Sequence, residues 1–440
     1  MGTGRLHSKK HLSFNALRKA ISLQFCRIGD FRQKGKITYS LHDCLMSGFA
    51  MMYLQDPSLL AFQKRMQDSM ENSNLKTIFN VHDIPKDTQM RQVLDSIPLS
   101  GLNNIFPLFL HQLQRGKQLA EYQLLDGKYL IAIDGSEYFS SENINCPYCL
   151  VKNKAKGNLR YHHQILQAVV VHPKKRHVFP LAPEQISNRD GNKKQDCEIN
   201  AAKRMLKNVR NTHPKLDIII TGDGLYSKQP FIDELKKERM SFILVAKPKD
   251  HKILFEWVND LIGLGDGNSL ELCDDKGRRH RYQWVNQVPL NDSKDADLVN
   301  FLQYQLVVKT GKVTYKNSWV TDISIHEHNV ATLVNGGRAR WKIENETFNT
   351  LKNQGYHIEH NYGHGNHNLS MVFFTLNLLA FYVHQILDHT DKLYQAVRYK
   401  KFTSRKEFFN QLRCTFRIIL FKNWEHMLDY ILDPPMVRAP

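Results

Sequence analysis

Apolar residues recur at helical spacing through Leu41 to Phe62 and again through Gly101 to Leu119, so residues 1–120 read as a helical region. The texture changes at Lys128. Lys128 to Ile133 is a short apolar run ending in Asp134-Gly135, and Leu216 to Thr221 is another, ending just before Asp223-Gly224. Between them, Gln164 to His172 and His177 to Leu181 are β-rich runs joined by Pro173 to Arg176, a hairpin signal, and Gln195 to Val209 has helical periodicity. Pro230 to Arg239 predicts a further helix and Ser241 to Ala246 a further strand. Strands first, then alternating helix and strand, predict a mixed α/β sheet with helices packed on it.

From Lys247 to Asp322 the pattern turns polar, with short strand-like runs such as Tyr304 to Lys309 and Ser318 to Thr321, and reads as a β-rich insertion. Asn329 to Asn353 predicts one long helix, followed by a His/Gly/Asn-rich loop over 360–368. Leu369 to Leu387 is the longest apolar stretch. It carries Asn377, His384 and Gln385, which favours a buried helix over a membrane span. The expected organisation is a helical DNA-binding domain over 1–120, a catalytic domain over 121–354 with its insertion at 247–322, and a helical region over 355–440.

Charge adds what periodicity cannot. Lys and Arg number 61 against 43 Asp and Glu, a formal net charge of +18. A surplus of that size points to a polyanionic partner, most often nucleic acid. Basic residues are scattered over the first 40 positions, among them Arg5, Lys9, Lys10, Arg18, Lys19, Arg27, Arg32, Lys34 and Lys36, and the tail from Arg398 to Arg417 is basic again. Each could meet phosphate or lie on a solvated helix face. No basic amphipathic helix stands out as a membrane anchor. Met1 to Ser13 lacks the apolar run and cleavage site of a secretory signal. Seven cysteines at irregular spacing fit a reducing cytoplasm rather than a disulfide framework.

Two apolar runs that end in Asp-Gly would each be an ordinary turn if taken singly. A third acid raises their interest. At about 100° per residue, the segment 337–352 gathers Arg340, Trp341, Glu344, Thr347, Phe348 and Leu351 on one helical face, with Asn345, Glu346, Asn349 and Asn353 opposite. Glu344 is therefore expected inward and Glu346 outward. An inward carboxylate needs a partner: Arg340 one turn earlier, or a metal ion. Three carboxylates in one place would repel one another, and Mg²⁺ or Mn²⁺ would relieve that; two such ions can clamp an in-line phosphoryl displacement.

The segments Ile131 to Gly135, Thr221 to Tyr226, Trp319 to Asp322 and Arg340-Trp-Lys-Ile-Glu344, in that order, carry a resemblance. Between Tyr129 and Leu387 the chain resembles bacterial insertion-sequence transposases with an RNase H-like catalytic domain and an Asp-Asp-Glu triad, in the branch whose third acid sits in a Tyr-Arg-Glu-Lys helix. The resemblance implies that Asp134, Asp223 and Glu344 bind Mg²⁺ or Mn²⁺ in a two-metal site, and that Arg340 and Lys352 contact DNA. It implies an enzyme that cleaves transposon ends and transfers the strands, partnered by terminal inverted repeats and target DNA, as a homodimer in a synaptic complex, in the cytoplasm at the nucleoid. Two positions depart from the pattern: Gly337 stands where the tyrosine belongs, and Lys352 lies one residue beyond the usual lysine. A nuclease on the same fold without strand transfer, and a catalytically silent DNA-binding derivative, remain alternatives.

Other residues invite metal chemistry. Cys146-Pro-Tyr-Cys149 is followed by His162-His163, a candidate structural Zn²⁺ site, although adjacent histidines depart from finger spacing. The competing reading is two buried thiols in a loop and two histidines at the start of a strand. Lys152, Lys154 and Lys156 beside them could touch DNA. His360, His364 and His367 read as polar caps of a linking loop, Asp196 and Glu198 as surface, and Glu137 as an outer-shell group of Asp134.

Overall fold

A computed structural model of the chain describes residues 10–153, 159–188 and 195–435. Arg5, Lys9, Lys154 and Lys156 lie outside the described residues.

The first part is helical. Short polar side chains start several helices: Ser13, Ser40 and Ser58 each accept a hydrogen bond from the backbone N–H three residues on. The apolar stretch from Leu41 to Phe62 is not one helix but two, Leu41–Tyr53 and Leu59–Met66, because Pro57 cannot continue the first and Ser58 caps the second. The stretch after Gly101 is likewise split, into Leu99–Asn103 and Ile105–Arg115.

The strands are β1 (Gln123–Leu125), β2 (Lys128–Ser141), β3 (Leu150–Asn153), β4 (Leu159–Val171), β5 (Phe179–Pro180), β6 (Glu184–Ile186), β7 (Ile218–Gly222), β8 (Ser241–Val245), β9 (Asn268–Cys273), β10 (Arg279–Pro289), β11 (Leu298–Val307) and β12 (Val313–Thr321). They form one mixed sheet in the order β3-β4-β2-β7-β8-β12-β11-β10-β9; β1 pairs with β2, and β5 and β6 pair with β4. β2, β7 and β8 run parallel, and their Leu130–Ile133, Ile218–Ile220 and Phe242–Leu244 are buried on both faces, as central strands of a covered sheet must be. This is the RNase H-like arrangement, with the helices Glu198–Thr212 and Gln229–Lys237 among those covering it.

The β-rich segment is an extension of the same sheet: β12 pairs antiparallel with β8, and β11, β10 and β9 follow as a meander. It opens with an unforeseen helix, Lys252–Leu264. The Trp319-to-Asp322 segment secures this junction. The Asp322 carboxylate accepts the Phe242 N–H at 2.9 Å at the start of β8, and Trp319 is fully buried.

The predicted helix over 329–353 is interrupted. It forms as Glu327–Arg338, a turn at 339–340, a π-helical segment Ile343–Phe348 and a final Asn349–Asn353. Gly337, where a tyrosine was expected, lies against Trp319: a Cβ there would stand 2.5 Å from the indole nitrogen. The helix can sit this close to the sheet only without a side chain at that position.

The apolar helix is Leu369–Thr390, buried over nearly its whole length. By length and composition it could cross a membrane, yet the fold encloses it. Several of its polar groups are paired inside: Asn377 donates to the Tyr356 carbonyl at 2.7 Å, His384 Nδ1 pairs with the Tyr356 hydroxyl at 2.7 Å, and Gln385 accepts from Val178 N–H at 3.2 Å. It packs on Leu41–Tyr53 and on other helices of the first part.

Gly337→Ala should lower the unfolding free energy by about 1–3 kcal/mol through overpacking against Trp319, read as a shifted urea midpoint. An unchanged midpoint would show that the close approach is not a constraint.

Candidate active site

Asp134 and Asp223 stand at matching heights just past the end of the β2–β7 pairing, Asp134 within β2, which runs on beside β4, and Asp223 directly after β7. β2 and β7 are in register at Ala132–Thr221, and each aspartate follows two residues later. The carboxyl ends of parallel strands are where side chains can gather outside the sheet. Asp223 Oδ1 accepts the Leu225 N–H at 2.8 Å, fixing the turn after β7, and Asp134 Oδ1 accepts the Gly135 N–H at 3.0 Å.

Glu344 reaches this place from the π-helical segment, which packs on β2 and β4. The link is Arg340: its Nη1 lies 2.6 Å from Glu344 Oε1 and 3.6 Å from Asp134 Oδ2. One guanidinium nitrogen thus stands between two carboxylates. The regular-helix expectation of an inward Glu344 is corrected in detail. Its side chain is 49% exposed, Trp341 on the same expected face is also exposed, and Glu346 is partly buried instead. The turn at 339–340 and the wider π-helical repeat break the phase on which that face was drawn. Glu344 lies at the open mouth of the site, not beneath it.

Burial pushes the Asp134 carboxyl up to about 7; Arg340 opposes that shift, while repulsion from Glu344, Glu198 and Asp223 adds to it. The cluster therefore has four acids rather than three. Glu198, expected on the surface, takes the Tyr226 hydroxyl at 2.5 Å and the Gln164 amide at 3.2 Å. Burial raises its pKa, Tyr226 opposes the rise, and Asp223 adds repulsion. The signal was present in the sequence. Glu198 lies three and four residues before the buried Ala201 and Ala202, on the inward face of its helix. Asp196 is instead held by Arg204 at 2.8 Å.

Lys352 pairs with Glu359 at 2.9 Å rather than with the cluster. Lys342 is buried, donating to the Lys175 carbonyl at 2.8 Å. Glu137 is engaged by Lys152 and by Arg160, the latter at 2.9 Å. The candidate zinc residues divide. Cys146, Cys149 and His163 come together, whereas His162 turns toward Glu137, its Nε2 3.8 Å from the carboxylate. Adjacent residues on a strand face opposite ways, so two neighbouring histidines of β4 cannot both join one cluster. The fourth member is His364, from the loop read as polar caps; His360 and His367 are not part of it.

Oxygen donors from several acids, with like-charge repulsion to relieve, suit a hard divalent cation. Asp134, Asp223 and Glu344 offer that donor set, and Glu198 is already held by a phenol and an amide.

A family model described as a transposase DDE domain matches residues 152–382, just over half of the chain. The matched stretch contains Asp223, Arg340 and Glu344 and begins after Asp134. No curated protein matches the chain.

The raised Asp134 pKa has a sign that can be tested. A carboxyl whose folded pKa lies above its unfolded value contributes stability at low pH that is lost as pH rises through about 7. Without added divalent metal, Asp134→Asn should gain in thermal midpoint over the natural chain between about pH 5 and pH 8, and scanning fluorimetry would show it. A difference independent of pH would contradict the burial of this acid.

Proposed function

This chain belongs to the DDE-domain transposase family, and from that membership we propose that it cleaves DNA at the ends of a mobile element and joins the freed ends to target DNA. Asp134, Asp223 and Glu344 would hold Mg²⁺ or Mn²⁺. The observation that carries the reading is the shared guanidinium: Arg340 binds Glu344 at 2.6 Å and Asp134 at 3.6 Å, beside the strand that leads into Asp223.

When bound, the metal supplies Lewis-acid activation of the attacking oxygen and charge relief at the leaving oxygen. The protein's part is positional. β2 and β7 fix the two aspartates relative to each other, and the π-helical segment carries Glu344 to them. Arg340 offsets part of the charge of Asp134 and Glu344 before substrate arrives. Its guanidinium can then turn to a phosphate oxygen, for which its planar fork is suited. Glu198 is a positioning residue, tied to Tyr226 and Gln164 beside Asp134.

In the first step water forms a bond to phosphorus and the P–O3′ bond breaks, leaving a 3′-OH. In the second that 3′-OH attacks a target phosphodiester, and the target P–O3′ bond breaks. The net charge of +18 fits the polyanionic substrate. Two element ends handled together call for a homodimer in a synaptic complex, with the helices of 1–120 gripping the terminal inverted repeats. The reading places the protein at the nucleoid.

The test uses linear DNA carrying the sequences that flank the gene, with plasmid as target. Mn²⁺- or Mg²⁺-dependent nicking and joining to plasmid are expected. Asp134→Asn, Asp223→Asn and Glu344→Gln should each cost about 10³-fold or more in rate, about 4 kcal/mol of barrier, while Glu346→Gln stays within about threefold. Nicking without joining would make the enzyme a nuclease. Full activity in Glu344→Gln would remove this site from the chemistry.

A further inference from the structure

Outside the acidic cluster, four soft ligands meet. Cys146 and Cys149 come from the turn before β3, where the Cys149 N–H bonds the Cys146 carbonyl at 3.1 Å. His163 comes from β4, and His364 from the loop after the helix that bears Glu344. The sulfur atoms are 3.8 Å apart. The sulfur-to-nitrogen edges are 3.5 Å for Cys146–His163, 3.7 Å for Cys149–His163 and 3.3 Å for Cys149–His364, and the two histidine Nε2 atoms are 3.3 Å apart.

These lengths decide what the cluster can be. A disulfide needs its sulfurs about 2 Å apart. A tetrahedral ion with Zn–S of about 2.3 Å and Zn–N of about 2.0–2.1 Å requires S–S edges of about 3.8 Å, S–N edges of about 3.5 Å and N–N edges of about 3.3 Å. Every measured edge falls within about 0.2 Å of those values. Tyr138 stacks on His163 and Phe139 packs on His364, so aromatic rings wall the cluster.

Delivery of His364 is built into the fold. Its loop is held by Asp95, whose carboxylate accepts the N–H groups of Asn366, His367 and Leu369 at 2.9, 2.9 and 3.0 Å. Gly365 has φ +67°, and a Cβ there would meet the Asp95 carboxylate at 2.3 Å. A loop pinned in this way presents the histidine at a fixed position.

We propose that Cys146, Cys149, His163 and His364 bind one structural Zn²⁺ that clasps the turn before β3 and the strand β4, the antiparallel neighbour of the strand bearing Asp134, to the chain leaving the Glu344 helix. The site is closed, with four protein ligands and no position left for water, so its role is structural. It stands independently of the reaction assigned to the acids.

The test is the zinc content of protein purified without a polyhistidine tag. One zinc per chain is expected, lost in Cys149→Ser and in His364→Ala and kept in His162→Ala and Asp134→Asn. Loss should lower the thermal midpoint by about 5 °C or more. Should Cys149→Ser fail to fold, cobalt-substituted natural protein should show thiolate-to-cobalt charge transfer and tetrahedral d–d bands. Natural protein with neither zinc nor those bands would overturn the proposal, as would full zinc content in His364→Ala.

Discussion

Arg340 is the one cation among the described residues placed between two of the acids that the strands and the π-helical segment bring together. The parallel pair β2–β7 sets Asp134 and Asp223 side by side, and the sheet beneath them is dry. Burial alone drives the Asp134 carboxyl toward its neutral form, and three neighbouring acids push the same way. A single guanidinium between Asp134 and Glu344 opposes them. It lets the chain bring acids from distant parts of the sequence to one edge of one sheet, and it leaves the cluster with unrelieved repulsion that a divalent cation can satisfy.

The rest of the architecture keeps that edge in register. The helix Glu327–Arg338 lies on the sheet through the glycine at 337, directly against Trp319 of β12, so the position of the following Glu344 segment is tied to the strand next to β8. That packing also accounts for the glycine at 337. Behind the sheet, the buried helix Leu369–Thr390 joins the early helices to the later ones, and Asp95 anchors the loop that leads into it. The same loop carries His364, so one set of hydrogen bonds serves both the packing of the core and the arrangement of the Cys/His cluster.

Much of this was legible in the residues. Apolar runs such as Lys128–Ile133 and Leu216–Thr221 mark central strands because both faces of those strands are buried. Periodicity was least informative where structure departs from a regular repeat. A fixed 100° step assigns Glu344 inward and Glu346 outward, and a turn followed by a π-helical segment undoes that phase. The helix Lys252–Leu264 was missed although its residues announce it: Leu254, Trp257, Val258 and Leu261 recur at helical spacing within a segment whose polar surroundings read as strands and loops. Glu198 was hidden for a different reason: an acid in a helix's first turn is usually solvated, and only its phase with Ala201 and Ala202 places it inward. His364 could not be paired with Cys149 from spacing at all, because 215 residues separate them and only the sheet and the Asp95 loop bring them together.

If the acids around Arg340 form a cation site, that site must take up a divalent metal. Anomalous scattering from crystals of the protein grown with Mn²⁺ at slightly alkaline pH addresses it most directly. Manganese peaks bounded by Asp134, Asp223 and Glu344 are expected, with the Arg340 guanidinium moved off the Asp134 carboxylate. Manganese found only elsewhere, with Arg340 still between Asp134 and Glu344, would contradict such a site.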